Sequence, residues 1–173
     1  MPTIVLTKNK FLRLALSSIV NSSNAQDEMM IIDTDSYTNL NCILDALEKS
    51  GAACNTIVCF IGSPGVTFQV LLPLKIISLK TPLDRIEIFF SKNKFLYLNE
   101  SIKYLRKLQG LTMLTRRQQE CVNALSLDGE VRTACKHLSI SEKAFYGRLR
   151  KAGEKINLFN LAQIKVYLSN NYL

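Results

Sequence analysis

Along its first 91 residues the chain alternates short apolar runs with amphipathic stretches, and that alternation leaves few folds open. Thr3-Ile-Val-Leu6, Met29-Met-Ile-Ile32, Thr56–Ile61 and Lys75–Leu79 read as strands. Between them, Phe11, Leu14, Ala15 and Ile19 recur at helical spacing over residues 10–20. Leu40, Ile43, Leu44 and Leu47 give a second helix stopped by Gly51, and Leu83–Phe90 gives a last one, while Phe68–Leu72 fits either element. Strands that are apolar throughout are buried on both faces. With helices between them they form a parallel sheet, so the first region is expected to be α/β.

From Leu114 onward the pattern changes to helix after helix, with no strand candidate. Charge changes with it. Residues 1–91 hold 7 basic and 8 acidic side chains, net −1, whereas residues 92–173 hold 15 and 6, net +9. A near-neutral α/β domain over 1–91, a connector with a short helix over 92–113 and a basic all-α domain over 114–173 follow. Apolar residues make up 47% of the chain, enough for real cores, which excludes disorder of the whole. The basic half is expected to face a polyanion.

The cysteines are Cys42, Cys54, Cys59, Cys121 and Cys135, without a C-x-x-C pair, and read as buried free thiols in a reducing compartment. The single histidine, His137, has no second ligand at zinc-finger spacing and reads as a surface helix residue. Lys8, Lys10 and Arg13 before Leu14–Val20 imitate a secretory signal, but Arg13, Ser17 and Ser18 interrupt the apolar run. A cytoplasmic protein without a membrane partner, metal or other cofactor is expected.

Within the basic region, Thr115 and Gln118 fit a capping box that starts a helix. Asp128-Gly129 makes a turn, Val131, Ala134, Cys135 and Leu138 form the stripe of a second helix, and Ser141 caps a third. On that third helix Phe145, Leu149, Ala152 and Ile156 share one side, with Lys143, Tyr146, Gly147 and Arg150 opposite. A recognition helix needs this division: one side locks onto its neighbour and the other carries donors into the major groove. Lys143, Tyr146, Gly147 and Arg150 are the expected base-facing set. Arg132, Lys136, Arg148 and Lys151 are the expected phosphate contacts. Glu154 lies on the base-facing side but late in the helix. Leu158–Ser169 carries two apolar stripes, and the one with Phe159, Ala162 and Val166 is expected to dimerise.

Leu114-Thr115-x-Arg117, Leu138-Ser-Ile-Ser141, Lys155-Ile156 and Ala162-Gln163 resemble the LuxR/FixJ-type four-helix DNA-binding domain. Departures include Gln118 for the family's Glu and Arg148 for its His. The resemblance implies an all-α helix-turn-helix domain whose fourth helix dimerises. Together with an α/β front half it resembles a response regulator. In such receivers an Asp ends a central strand, an acidic pair follows the first strand, and a Ser/Thr and a Lys end later strands. Asp33, Ser63 and Lys80 match; Thr7, Lys8 and Asn9 stand in place of the acidic pair. Asn21–Glu28 is also too short for the family's second strand and helix, which form an edge of that fold. The plan, a short pseudo-receiver followed by a LuxR-type tail, is similar to that of the atypical GadE-like acid-resistance regulators.

These readings imply a sequence-specific, double-stranded-DNA-binding transcription regulator rather than an enzyme. It would act as a homodimer or a heterodimer with a response regulator, contact RNA polymerase, and work without receiver phosphorylation, Asp33 serving as a loop or cap residue. The alternative is a protein-only co-regulator that sequesters another factor. Ser63 in Gly-Ser-Pro-Gly is not a nucleophile elbow, and no phosphate-binding glycine loop is present.

Overall fold

The computed structural model describes residues 3–22, 28–92 and 95–172. The chain divides into two compact units, Met1–Leu105 and Arg106–Leu173. In the first, β1 (Ile4–Leu6), α1 (Lys10–Ser22), β2 (Met29–Asp33), α2 (Leu40–Glu48), β3 (Ile57–Gly62), α3 (Val66–Leu71), β4 (Ile77–Ser78), α4 (Leu83–Lys92) and β5 (Leu96–Tyr97) follow one another, and α5 (Leu98–Gln109) carries the division. The strand order β1-β2-β3-β4 is parallel throughout. In β2 every residue is buried, as expected of a strand covered on both faces. Met29 and Ile31 join Cys59, Ile61 and Ile77 on one face, where Leu16 and Val20 of α1 and Ile86 and Phe90 of α4 close the core.

The α1 stripe is not the one the spacing suggests. Phe11 and Leu14 are 85% and 70% exposed, and Ala15 is exposed too. Leu16 and Val20 face the core, with Leu12 and Ile19 half-buried. The helix is apolar on two sides, and periodicity alone does not choose between them. Phe68–Leu72 resolves into α3 and a 3-10 turn over Leu72–Leu74 that holds Pro73. The strand expected over 75–79 shrinks to β4 because Lys75 takes a left-handed conformation, φ 57°. The connector contributes an element the sequence does not announce: β5 pairs antiparallel with the start of β3, Ile57 opposite Tyr97. Two of the five cysteines, Cys42 and Cys54, are exposed rather than buried; Cys59, Cys121 and Cys135 are buried, and burial pushes all three thiols up.

The second unit contains no strand among its described residues. It holds α6 (Arg116–Asp128), α7 (Val131–His137), α8 (Glu142–Lys155) and α9 (Leu161–Tyr172), with α6 packed against the other three. Thr115 and Gln118 form the capping box, Thr115 N–H donating to Gln118 Oε1 at 2.9 Å. Gly129 ends α6 at φ 69°, a left-handed position that suits glycine. Gly153 has a different reason. A Cβ there would collide with the Leu158 carbonyl oxygen, because the turn after α8 folds back onto this position. At the end of α5 the Leu108 carbonyl, which already accepts from Leu111 N–H, also lies 3.1 Å from the Tyr167 hydroxyl and 3.0 Å from the Tyr172 hydroxyl, and the latter reaches the Gln109 carbonyl as well.

Candidate nucleic-acid interface

The junction between α7 and α8 is short and internally bonded. Ile140 N–H donates to Cys135 O, Ser139 adopts φ 52°, and Ser141 Oγ accepts from Ala144 N–H at 3.3 Å. That fixes where α8 starts. Its inward side is Phe145, Leu149 and Ala152, continued by Ile156, all buried. The four residues opposite, Lys143, Tyr146, Gly147 and Arg150, are exposed, and Gly147 would leave a Cβ in open space. A rigid helix therefore presents two cations, a phenol and a bare backbone step to solvent.

The flanking cations differ in their freedom. Lys136 and Lys151 are exposed. Arg132 is exposed but sits 3.6 Å from Glu142, an ion pair joining α7 to the first turn of α8. Arg150 pairs with Glu154 at 3.6 Å along α8. Arg148 is half-buried, and its charge works against the burial-driven rise of the pKa of the Cys121 thiol on α6. Of the four expected phosphate contacts it is the one turned toward the protein, because its place on the wheel borders the packed side. His137 is exposed at the end of α7, with Nδ1 3.2 Å from Asp128.

On α9, Ile164, Tyr167 and Leu168 are buried. Phe159, just before the helix, is 66% exposed and Val166 45%, with Ala162 exposed between them. An apolar strip thus remains on the outside of this unit. Phe159 also lines a pocket of about 90 Å³ with Tyr146, Arg150 and Leu161, at the edge of the exposed α8 surface.

The first unit has a larger cleft, about 690 Å³, at the carboxyl ends of β1 and β2, lined by residues including Lys8, Asn9, Asp33, Asp35, Ser36 and Tyr37. Asp33 is buried there and its oxygens are occupied. Oδ2 accepts from the Thr7 and Ser36 hydroxyls, both at 2.6 Å, and Oδ1 accepts from Asp35 N–H at 3.1 Å, capping the short 3-10 turn Thr34–Ser36. Asp35 in turn accepts from Ser63 N–H at 3.0 Å. Burial and the Asp33 charge push the Tyr37 phenol up. Asp33 and Ser63 are therefore joined through Asp35. Lys80 is exposed beyond β4 and does not line the cleft. The cleft's two carboxylates, Asp33 and Asp35, are both engaged by protein donors, with Lys8 also lining it, which makes a poor site for a divalent cation.

Solved response regulators share this fold. The two-component response regulator RcsB in its DNA complex aligns over 97% of this chain and 97% of its own, with a TM-score of 0.58 at 14% identity. RcsB from Salmonella enterica serovar Typhimurium, bound to promoter rprA in the presence of the phosphomimetic BeF3-, aligns over 97% and 98%, with a TM-score of 0.60 at 15% identity. No family model matches the chain, and no curated protein sequence matches it. At this identity the RcsB likeness is one of fold.

Several residues at these sites lay beyond sequence reasoning. The Thr7–Asp33–Ser36 cluster joins positions 26 and 3 residues apart, and only the Asp at a strand end was a signal. The half-burial of Arg148 depends on the packing of α8 on α6. Among the described residues, no helix is long and apolar enough to cross a membrane.

Proposed function

We propose that this chain is a sequence-specific, DNA-binding transcription regulator that acts as a dimer and does not depend on receiver phosphorylation. The observation that carries the reading is α8. Its Phe145–Leu149–Ala152 side is buried, while Lys143, Tyr146, Gly147 and Arg150 stand exposed opposite, in a half of the chain with net charge +9. Such a helix presents donors to base edges while the protein body holds it at a fixed angle. Arg150 is assigned to a base, with Lys143, Tyr146 and Gly147 beside it. Lys136, Lys151, Arg132 and Arg148 are assigned to phosphates, Arg148 from a half-buried position. The RcsB fold, solved in complex with DNA, supports the same reading.

Phe159, Ala162 and Val166 are assigned to a dimer contact, with the partner a second copy or a response regulator. Independence from phosphorylation rests on Asp33, whose oxygens are held by Thr7, Ser36 and the Asp35 amide. The test is a salt titration of binding to genomic fragments, alone and with a response-regulator partner. A steep linear fall of log affinity with log salt, together with a preferred fragment, supports the proposal. A folded protein that binds no DNA under either condition overturns it in favour of a sequestering module.

A further inference from the structure

We propose that Glu154 is a positioning residue for Arg150, holding the guanidinium in the orientation that reads a base; this rests on the DNA-binding reading above. Glu154 is out of place on charge grounds. It lies two helical turns beyond Tyr146 on the side of α8 opposite the core, in a half of the chain with net charge +9. A carboxylate there opposes a polyanion, so it weakens binding unless it does something for a neighbour.

The geometry points to that neighbour. Arg150 Nε lies 3.6 Å from Glu154 Oε1, and this is the one ion pair Arg150 makes among the described residues. Both side chains are largely exposed, 74% and 52%, so the pair adds little to folding. On one flank Gly147, one turn earlier, has no side chain and open space around it. On the other flank lies the pocket wall formed by Tyr146, Phe159 and Leu161. A carboxylate on Nε leaves both terminal nitrogens of the fork forward and free, the pair that bidentate guanine recognition uses. Glu154 thus trades overall attraction for a single orientation of the reading side chain.

The full-length protein tests this on its preferred fragment, on single-base variants of that fragment and on random-sequence DNA. E154A is expected to bind random DNA about two- to fivefold more tightly at ~0.1 M salt, as a repulsive charge is lost. Discrimination at the position that depends on Arg150 should fall roughly five- to tenfold in the same variant. E154Q should show the same gain on random DNA but keep most of the discrimination, because its amide oxygen can take the place of the carboxylate oxygen beside Nε. In an R150A background, E154A should leave discrimination where R150A put it. Thermal melting should be the same for all the Glu154 variants. Discrimination unchanged in E154A, or lost equally at positions insensitive to R150A, overturns the proposal while leaving DNA binding intact. A wild type that binds no DNA removes the parent reading and this one with it.

Discussion

The cleft of the first unit and the α8 surface of the second both hold charged side chains that the sequence marks as functional, yet they hold them differently. In the cleft, Asp33 is buried and accepts from Thr7, Ser36 and the Asp35 amide, and Asp35 is spent on the Ser63 amide. On α8, Lys143 and Arg150 point to solvent from a helix whose other side is locked in the core. Polar groups that satisfy one another hold a fold together; polar groups left outward are available to a partner. Under the proposed function, the difference would place recognition in the second unit and a structural task in the first.

The sharpest way to test that division is on α8 itself, where adjacent residues face opposite ways. Phe145→Ala should cost about 3–5 kcal/mol of stability in chemical denaturation, because a fully buried ring is removed. Tyr146→Ala, one residue on, should change stability by less than about 1 kcal/mol and alter DNA binding instead. Equal losses from both would break the comparison.

In the cleft, Asp33→Ala should cost about 2–4 kcal/mol, since two hydroxyls and an amide lose a carboxylate acceptor. Asp33→Asn should cost less. Incubation with acetyl phosphate followed by mass spectrometry should show no phosphoryl group on Asp33. A modified Asp33 in the folded protein would make the cleft chemically active and remove the contrast.

On the binding side, Arg150→Ala should lose about 1–3 kcal/mol at one base position, whereas Lys151→Ala should weaken all sequences alike and lower the salt slope by about 1. Arg148→Ala should fall outside both patterns. Arg148 is half-buried at the border of the packed side of α8, so its loss should show in stability before it shows in binding.

The smallest effect belongs to Tyr172. Removing its hydroxyl in Tyr172→Phe deletes a donor shared between the Leu108 and Gln109 carbonyls and should cost about 0.5–1.5 kcal/mol. Burial raises the folded-state pKa of this phenol above its ordinary value, with the Tyr167 hydrogen bond opposing. Its contribution is therefore complete below pH ~10, and it declines as pH rises through the folded-state value. Melts at pH 9 and pH 11 should show a larger alkaline loss in wild type than in Tyr172→Phe.

Much of this was legible in the sequence because it is local. The apolar run of β2, the Thr115–Gln118 box, the Asp128-Gly129 turn and the Ser141 cap are all decided within a few residues, and each appears in place. The inward row of α8 was equally readable, since one side of that helix is apolar and the other is not. The errors came where neighbours decide. On α1, two apolar rows compete and the sheet selects the one with Leu16 and Val20. β5 is two residues long and exists because the free edge of β3 offers it hydrogen bonds. Arg148 is half-buried because it borders the side of α8 that packs on α6.

The strand order also has a consequence for how this molecule meets other chains. In the five-stranded flavodoxin-like arrangement the first strand is interior, flanked by the second. Here β1 pairs only with β2 among the described residues, so a strand that is interior elsewhere has become a border. Its outer row of amide and carbonyl groups is the kind of margin along which extended segments of foreign chains can zip. At three residues it offers too short a template for a stable graft, and Lys8, Lys10 and Arg13 just beyond it would set like charges against one another in any copy-to-copy pairing. Brevity and charge keep an exposed border from becoming a seed for aggregation.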